Sequence, residues 1–202
     1  SLYEVVYFIN RRNASITMST VSKVLKSLEQ ELLITRNASL ISVIDREKLL
    51  ERVAAGYANY VRIKQGNTYS FSVRQLSCAS MRLDVDKSNY LACGHKSISI
   101  KGLAVSSEVK FIVKDVEQAR SELDFLEPDA EFGNVTLIET KENSIWFNSF
   151  ETELTIASVI NVTVPIVDDI GLYLEMMADT PRGPKIAGIL KKRILEKADI
   201  DE

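Results

Sequence analysis

The sequence predicts an α+β protein in two parts, residues 1–64 and residues 65–202. Three observations carry this prediction. The first 60 residues show helical periodicity, a pair of short strand-like runs follows the second helical stretch, and the remainder mixes strands and helices without strict alternation. Irregular mixing of this kind is typical of the α+β class, whereas regular alternation would indicate a parallel α/β sheet.

Two helices are predicted at the start of the chain. Residues 2–12 have apolar side chains at near-helical spacing and end in Arg11 and Arg12, and basic residues suit a helix C-terminus. The second helix is predicted to begin near Ser19, whose hydroxyl could act as the N-cap. Its apolar stripe consists of Val21, Val24, Leu25, Leu28 and Leu32.

A β-hairpin is predicted next, with strands at 33–36 and 40–43 around the turn 37–39. A helix capped by Asp45 then runs to about residue 61, and the pattern breaks at residues 62–68, where we place the domain boundary. The order helix, polar helix, hairpin is that of a winged helix-turn-helix, whose second helix enters the DNA major groove. Residues 2–12 could instead be the second helix of this unit, with its first helix preceding Ser1.

Charge is distributed unevenly between the two parts. Residues 1–64 carry 10 Lys/Arg and 6 Asp/Glu, a net charge of +4, whereas residues 65–202 carry 15 and 22, a net charge of −7. A basic unit joined to an acidic body favours DNA as the partner of the first part. The predicted DNA-contacting residues are Thr17, Ser19, Thr20, Ser22, Lys23 and Lys26 on the helix, and Arg36, Asn37 and Ser39 on the wing.

The second part is predicted to contain short strands and helices. Strands are expected at 69–73, 98–100, 109–113, 135–138, 144–147 and 160–164. Helices are expected at 86–93, from Asp115 to Phe125, after Asp168 or Asp169, and from Pro184 onward.

No residue pattern predicts catalysis, a metal or a cofactor. Cys78, Cys93 and His95 are too few for a four-ligand zinc site, and the thiols are expected to be reduced and structural. Asp84 and Asp86 have the spacing of a magnesium-binding pair, but no Gly-Ser turn precedes them, so a strand end or a helix cap is favoured. No apolar run approaches the ~20 residues of a membrane span. A cytoplasmic protein without membrane contact is expected.

Several stretches, taken in order, resemble the AbiEi-type antitoxins of type IV toxin–antitoxin systems. The resemblance is carried by residues 20–29 (TVSKVLKSLE), 45–57 (DREKLLERVAAGY), 133–137 (GNVTL), 164–167 (VPIV), 172–175 (LYLE) and 181–183 (PRG). It implies a transcriptional autoregulator that counters a nucleotidyltransferase toxin through a non-catalytic C-terminal domain. The chain departs from the family at Gly171, where Gln is frequent, and at Pro184-Lys185, where an acidic residue is frequent; residues 92–104 match poorly.

These observations lead to one main hypothesis and two alternatives. The main hypothesis is a DNA-binding autoregulator and antitoxin whose winged helix binds double-stranded DNA of its own promoter. Its domain of residues 65–202 is expected to contact a cognate nucleotidyltransferase toxin or a second copy of the chain. The first alternative is a protein–protein interaction module whose winged helix no longer binds DNA, which the overall net charge of −3 favours. The second is a nucleotidyl-transfer enzyme, which only Asp84 and Asp86 favour.

Overall fold

A computed structural model describes residues 1–12, 15–37, 40–63, 67–73, 81–141, 143–158, 160–178 and 183–200. Over these ranges the chain forms helices together with a hairpin and one large mixed sheet, so the predicted α+β class is confirmed. Across the same ranges, every helix is either too short or too polar to serve as a membrane span.

The first part follows the predicted order of elements. These are α1 (Leu2–Asn10), α2 (Met18–Gln30), β1 (Ile34–Arg36), β2 (Ile41–Val43) and α3 (Arg46–Ile63). Strands β1 and β2 pair antiparallel, and the Asn37 N–H donates to the Leu40 carbonyl at 2.8 Å. Asp45 caps α3 as predicted, because its Oδ1 accepts the Lys48 N–H at 2.9 Å.

The second part contains eight strands and four α-helices within the described ranges. In chain order they are β3 (Thr68–Val73), β4 (Met81–Leu83), β5 (Tyr90–Cys93), α4 (Gly94–Ile100), β6 (Val109–Val113), α5 (Val116–Glu122), β7 (Leu126–Pro128), β8 (Val135–Glu139), a 3₁₀ turn (Asn143–Trp146), β9 (Phe150–Ile156), β10 (Ile160–Ile166), α6 (Asp169–Ala178) and α7 (Gly183–Ile200).

These eight strands form one mixed sheet. The pairing order is β4-β10-β5-β6-β8-β3-β7, and β9 pairs with β10 along its whole length. The pairs β10–β4, β10–β5 and β6–β8 are parallel, and the others are antiparallel. Parallel neighbours require long connections, and such sheets are usually covered on both faces.

Alternating side chains on the central strands feed two hydrophobic cores, as the two-residue period of a strand requires. Tyr90 and Ala92 of β5 pack with Phe111 in the core that includes α5. Leu91 and Cys93 of the same strand lie in the other core, with residues of α3, α4, α6 and α7. The sheet is therefore covered by helices on both faces.

Several predicted elements of the second part are wrong. Residues 86–93 form a turn and strand β5, residues 98–100 belong to α4, and residues 144–146 lie in the 3₁₀ turn. Strands β4, β7 and β9 were not predicted. The four residues Tyr90–Cys93 are all buried, and a short run buried on both sides shows neither helical nor strand periodicity.

A third, smaller core holds the first part together. Its buried residues are Val21, Leu25, Leu33 and Ile34, and partly buried residues of α1 pack against it. No residue of α1 is itself buried. Helix α3 contributes to two cores, because Leu49 packs against this small core and its neighbour Leu50 lies in the core with α6 and α7.

Candidate nucleic-acid interface

The start of α2 is fixed by Thr17, two residues before the predicted cap. Its Oγ1 accepts the Thr20 N–H at 3.2 Å and lies 2.9 Å from the Thr20 hydroxyl. The predicted N-cap at Ser19 is therefore wrong: Ser19 lies in the first turn and is exposed. Thr17 and Thr20 use their hydroxyls within the cap, and a DNA contact by either residue stays a prediction.

One face of α2 is buried and the opposite face is open. Val21 and Leu25 are buried in the small core. Ser19, Lys23 and Lys26 lie on the other side of the helix by the 3.6-residue period, and all three are exposed. Ser22, on the flank, is half-buried. The structure thus brings Ser19, Lys23 and Lys26 together on one accessible face.

Two members of the predicted apolar stripe are not in the core. Val24 is 51% exposed, and Leu32 is 73% exposed and lies beyond the helix. The Leu32 N–H donates to the Glu29 backbone carbonyl, and the Leu33 N–H donates to the Leu28 backbone carbonyl. This is the Schellman pattern of a helix C-terminus. Leu32 has φ 57°, a left-handed conformation that normally favours glycine.

The acidic side chains near the end of α2 are engaged by arginines. Arg36 Nε donates to Glu29 at 3.0 Å, and Arg52 Nε donates to Glu31 at 2.8 Å. These hydrogen bonds lower the pKa of both carboxyls, which are therefore ionised at neutral pH. Arg36, predicted to contact DNA from the wing, instead ties the hairpin to α2 in the free protein; a DNA contact by it stays a prediction.

Lys23 and Lys26 differ from these arginines. Among the described residues, no hydrogen bond or ion pair engages either ammonium group. Both lysines precede Glu29 in the helix, and the N-terminal two turns of α2 contain no acidic residue. The face of α2 that carries these two lysines is suited to a polyanion.

The turn between α1 and α2 is clamped by Asn10. Its side-chain amide donates to the Ile16 carbonyl at 3.1 Å and its Oδ1 accepts the Ile16 N–H at 2.8 Å. These two hydrogen bonds join one amide side chain to the backbone of one residue. They set the direction in which the chain enters α2. Sequence reasoning missed Asn10, because an asparagine at a helix end is also expected for ordinary reasons.

The predicted wing residues are only partly described. Asn37 is exposed, and its backbone N–H closes the hairpin. Ser39 lies outside the described residues. Whether Asn37 or Ser39 contacts DNA stays a prediction.

The other side chains considered for catalysis or metal binding lie in environments typical of structural residues. Cys93 is fully buried, and burial, reinforced by Glu175, raises the pKa of its thiol, so the sulfur is held in its unreactive protonated form. Asp84 directly follows β4, and Asp86 Oδ1 accepts the Ser88 N–H at 3.0 Å in the next turn. Within the described part of the chain, His, Cys, Asp and Glu side chains nowhere gather in threes around a point that could hold a metal ion.

Comparison with known proteins adds no relative to this picture. No family model, no curated protein and no solved structure matches the chain. The resemblance to AbiEi-type antitoxins therefore stays a hypothesis that depends on the sequence stretches that carry it.

Proposed function

We propose that this protein is a DNA-binding transcriptional regulator of the winged helix-turn-helix type that represses its own promoter. The observation that carries the proposal is the outward face of α2, where Lys23 and Lys26 are exposed and unengaged among the described residues. The order α1, α2, β1–β2 matches the order of a helix-turn-helix followed by a wing.

In this mechanism α2 lies in the major groove. Lys23 and Lys26 contact phosphates or guanine edges, and Ser19 offers a hydroxyl to the backbone or to a base. Asn10 and the Glu29–Arg36 pair act as positioning groups, because they fix α2 relative to α1 and to the hairpin. The arginine partners of Glu29 and Glu31 balance much of the negative charge of these carboxylates. The phosphate backbone is therefore repelled less.

The antitoxin role is the second part of the proposal. It is supported by the resemblance of residues 164–167, 172–175 and 181–183 to AbiEi-type antitoxins. The target is a nucleotidyltransferase toxin, and the domain of residues 65–202 acts on it without catalysis. Co-expression with a nucleotidyltransferase encoded beside the gene tests this part: rescue of growth supports it, and unrelieved toxicity overturns it.

The DNA part is tested by binding of the chain to its own upstream DNA over a salt series. Wild-type affinity is expected to fall steeply as salt rises, since each phosphate contact releases counterions. Lys23→Ala/Lys26→Ala should reduce the slope of log affinity against log salt by about 2. Lys23→Glu/Lys26→Glu should abolish binding.

A matched control separates the local effect from the effect of net charge. Lys141→Glu/Lys185→Glu changes the net charge by the same amount at two exposed positions outside α2. This control should bind as wild type does. Equal loss in both double variants would mean that overall charge, and not α2, governs binding, which would overturn the assignment of the reading helix.

The second candidate function is a protein–protein interaction module without DNA binding. The net charge of −3 and the exposed aromatic residues of α1 favour it. Wild-type protein that leaves its upstream DNA unbound at low salt, where phosphate contacts are strongest, would establish this candidate over the first.

A further inference from the structure

Helix α1 has an inner face that is packed and an outer face that exposes aromatic side chains. Leu2, Val5 and Val6 pack against the small core. On the other side, Tyr3, Tyr7 and Phe8 are 67%, 55% and 49% exposed. Large aromatic side chains that are exposed together on one face of a helix mark a surface suited to a partner.

The aromatic side chains of this outer face are already ordered. The rings of Tyr3 and Tyr7 stack with their centroids 6.5 Å apart and their planes 12° apart. The Arg12 guanidinium lies over the Phe8 ring, 3.4 Å from its centroid. Rings that are fixed before binding lose little conformational entropy when a partner covers them.

Charge on the same face runs from acidic to basic along the helix. By the 3.6-residue period, Glu4 and Arg11 fall on the side that carries Tyr7, one near each end of α1. Arg11 is exposed, and nothing among the described residues pairs with it. Glu4 is also exposed and closes the capping box with Ser1.

We propose that a second copy of the chain covers this face, through antiparallel pairing of two α1 helices about a twofold axis at Tyr7. An isologous contact needs a self-complementary surface, and the acidic-to-basic order supplies one. Glu4 of each chain then faces Arg11 of the partner subunit, and the two Tyr7 rings meet at the axis. Antiparallel helices also align their dipoles favourably.

The size of the face sets the strength of the contact. An aromatic side chain offers about 150–250 Å², so the exposed parts of the three rings supply roughly 300–400 Å² per copy. The total of about 600–800 Å² is below the ~1,200 Å² of a stable interface. The dimer is therefore weak in free solution, with a dissociation constant in the micromolar to millimolar range.

Sedimentation equilibrium of the whole chain without DNA tests the proposal, over concentrations from about 1 µM to about 1 mM. Wild type should shift from monomer to dimer across this range. Tyr7→Glu places two like charges at the axis and should raise the dissociation constant more than about tenfold. Phe132→Glu is the control, because Phe132 is 82% exposed in the body and should leave the constant unchanged.

A charge-swap experiment tests whether residues 4 and 11 supply the charge complementarity of the contact. Arg11→Glu and Glu4→Lys should each weaken self-association, since each removes the opposite charge from both ends of the contact. Mixed in equal amounts, the two variants restore Glu4–Arg11 at one end and a reversed pair at the other, and a heterodimer should form.

A monomeric wild type at every concentration, or a dimer that Tyr7→Glu and Arg11→Glu leave intact, would overturn the proposal. The experiment contains no DNA, so its failure leaves the proposed function untouched. Loss of DNA binding in Lys23→Glu/Lys26→Glu likewise says nothing about this contact.

Discussion

The helix–hairpin unit of residues 1–45 and the sheet body are held together by different kinds of contact. In the body, β10 alternates buried and half-buried residues over its whole length, and helices cover both faces of the sheet. Among its described residues, the helix–hairpin unit has four buried apolar side chains, and its first helix has none. Its geometry depends on polar contacts: the Asn10 clamp, the Thr17 cap and the two glutamate–arginine pairs.

The comparison shows how a small unit can be ordered and still keep one face free. Hydrophobic burial is proportional to area, so a small core stabilises little. Local hydrogen bonds at the helix ends and the hairpin supply the remaining order, at positions away from Lys23 and Lys26. The exposed face of α2 therefore contributes little to folding, and its residues are available for binding.

The largest effect is expected from truncating the body core. Phe111 is buried and meets the Tyr90 ring edge-on, with the centroids 5.6 Å apart. Phe111→Ala should lower the free energy of unfolding by about 3–5 kcal/mol, because it leaves a cavity between the sheet and its helical cover. Urea unfolding measures this. A loss below about 1 kcal/mol would mean that the body core is less tightly packed than the structure indicates.

A somewhat smaller effect is expected from Leu25→Ala in the small core, about 2–4 kcal/mol. Leu25→Ala should also differ from Phe111→Ala in how much of the chain unfolds. The helix–hairpin unit can open while the sheet stays folded. Hydrogen exchange should show α1 and α2 amides losing protection, with β5 and β6 unchanged. Val24→Ala, at a 51% exposed position, is the control and should be nearly neutral. Equal loss in the sheet would show that the two regions unfold together.

A third prediction concerns an ion cluster of the body. Asp169 is largely buried and accepts hydrogen bonds from Lys101 and Lys197, each at 2.7 Å. Burial acts to raise the pKa of Asp169, but the two lysines outweigh it and hold that pKa below its ordinary value. Asp169→Asn should cost about 1–3 kcal/mol at neutral pH.

The sign of this pKa shift predicts the pH dependence. A depressed folded-state pKa stabilises the protein above the unfolded-state pKa, and this contribution is lost as the pH falls below about 4. The difference between wild type and Asp169→Asn should therefore shrink on acidification. A difference that stays constant from neutral pH to pH 3 would rule out the carboxylate charge as its cause.

The smallest effect is expected at Leu32, and it is a gain. A non-glycine residue in the left-handed region costs about 1–2 kcal/mol, while glycine adds entropy to the unfolded chain. Leu32→Gly should therefore stabilise the helix–hairpin unit by about 0.5–1 kcal/mol, measured by hydrogen exchange of α2. Leu32→Ala keeps the strain and should give no gain; equal stabilisation by both would point to removal of the exposed leucine instead.

Elements with local end signals could be predicted from the sequence. Asp115 and Asp168 cap α5 and α6 as expected, with the Gln118 and Gly171 N–H groups donating to them at 2.9 Å and 2.7 Å. Helix α4 could not be predicted, because its start depends on a distant residue. Gly94 has φ 67°, and its N–H donates at 2.8 Å to Glu175, which lies 81 residues away.

In the candidate site, too, features with a local sequence signal were predictable and features that depend on distant residues were not. The outward positions of Lys23 and Lys26 follow from helical periodicity and were predicted. The engagement of Arg36 by Glu29 and of Arg52 by Glu31 was not, since these pairs depend on how the hairpin and α3 fold against α2. From the sequence, Arg36 was predicted to contact DNA from the wing, with no partner in the protein itself.

Leu49 and Leu50 are consecutive residues of α3 that pack into different cores. A rigid helix cannot shift one of them without carrying the other, so a displacement of α3 would disturb the packing of both cores. A molecule that displaces α3 when it binds to α6 or α7 would also change the orientation of α2. By thermodynamic reciprocity, a DNA that favours one orientation of α2 would change the affinity for that molecule by the same factor.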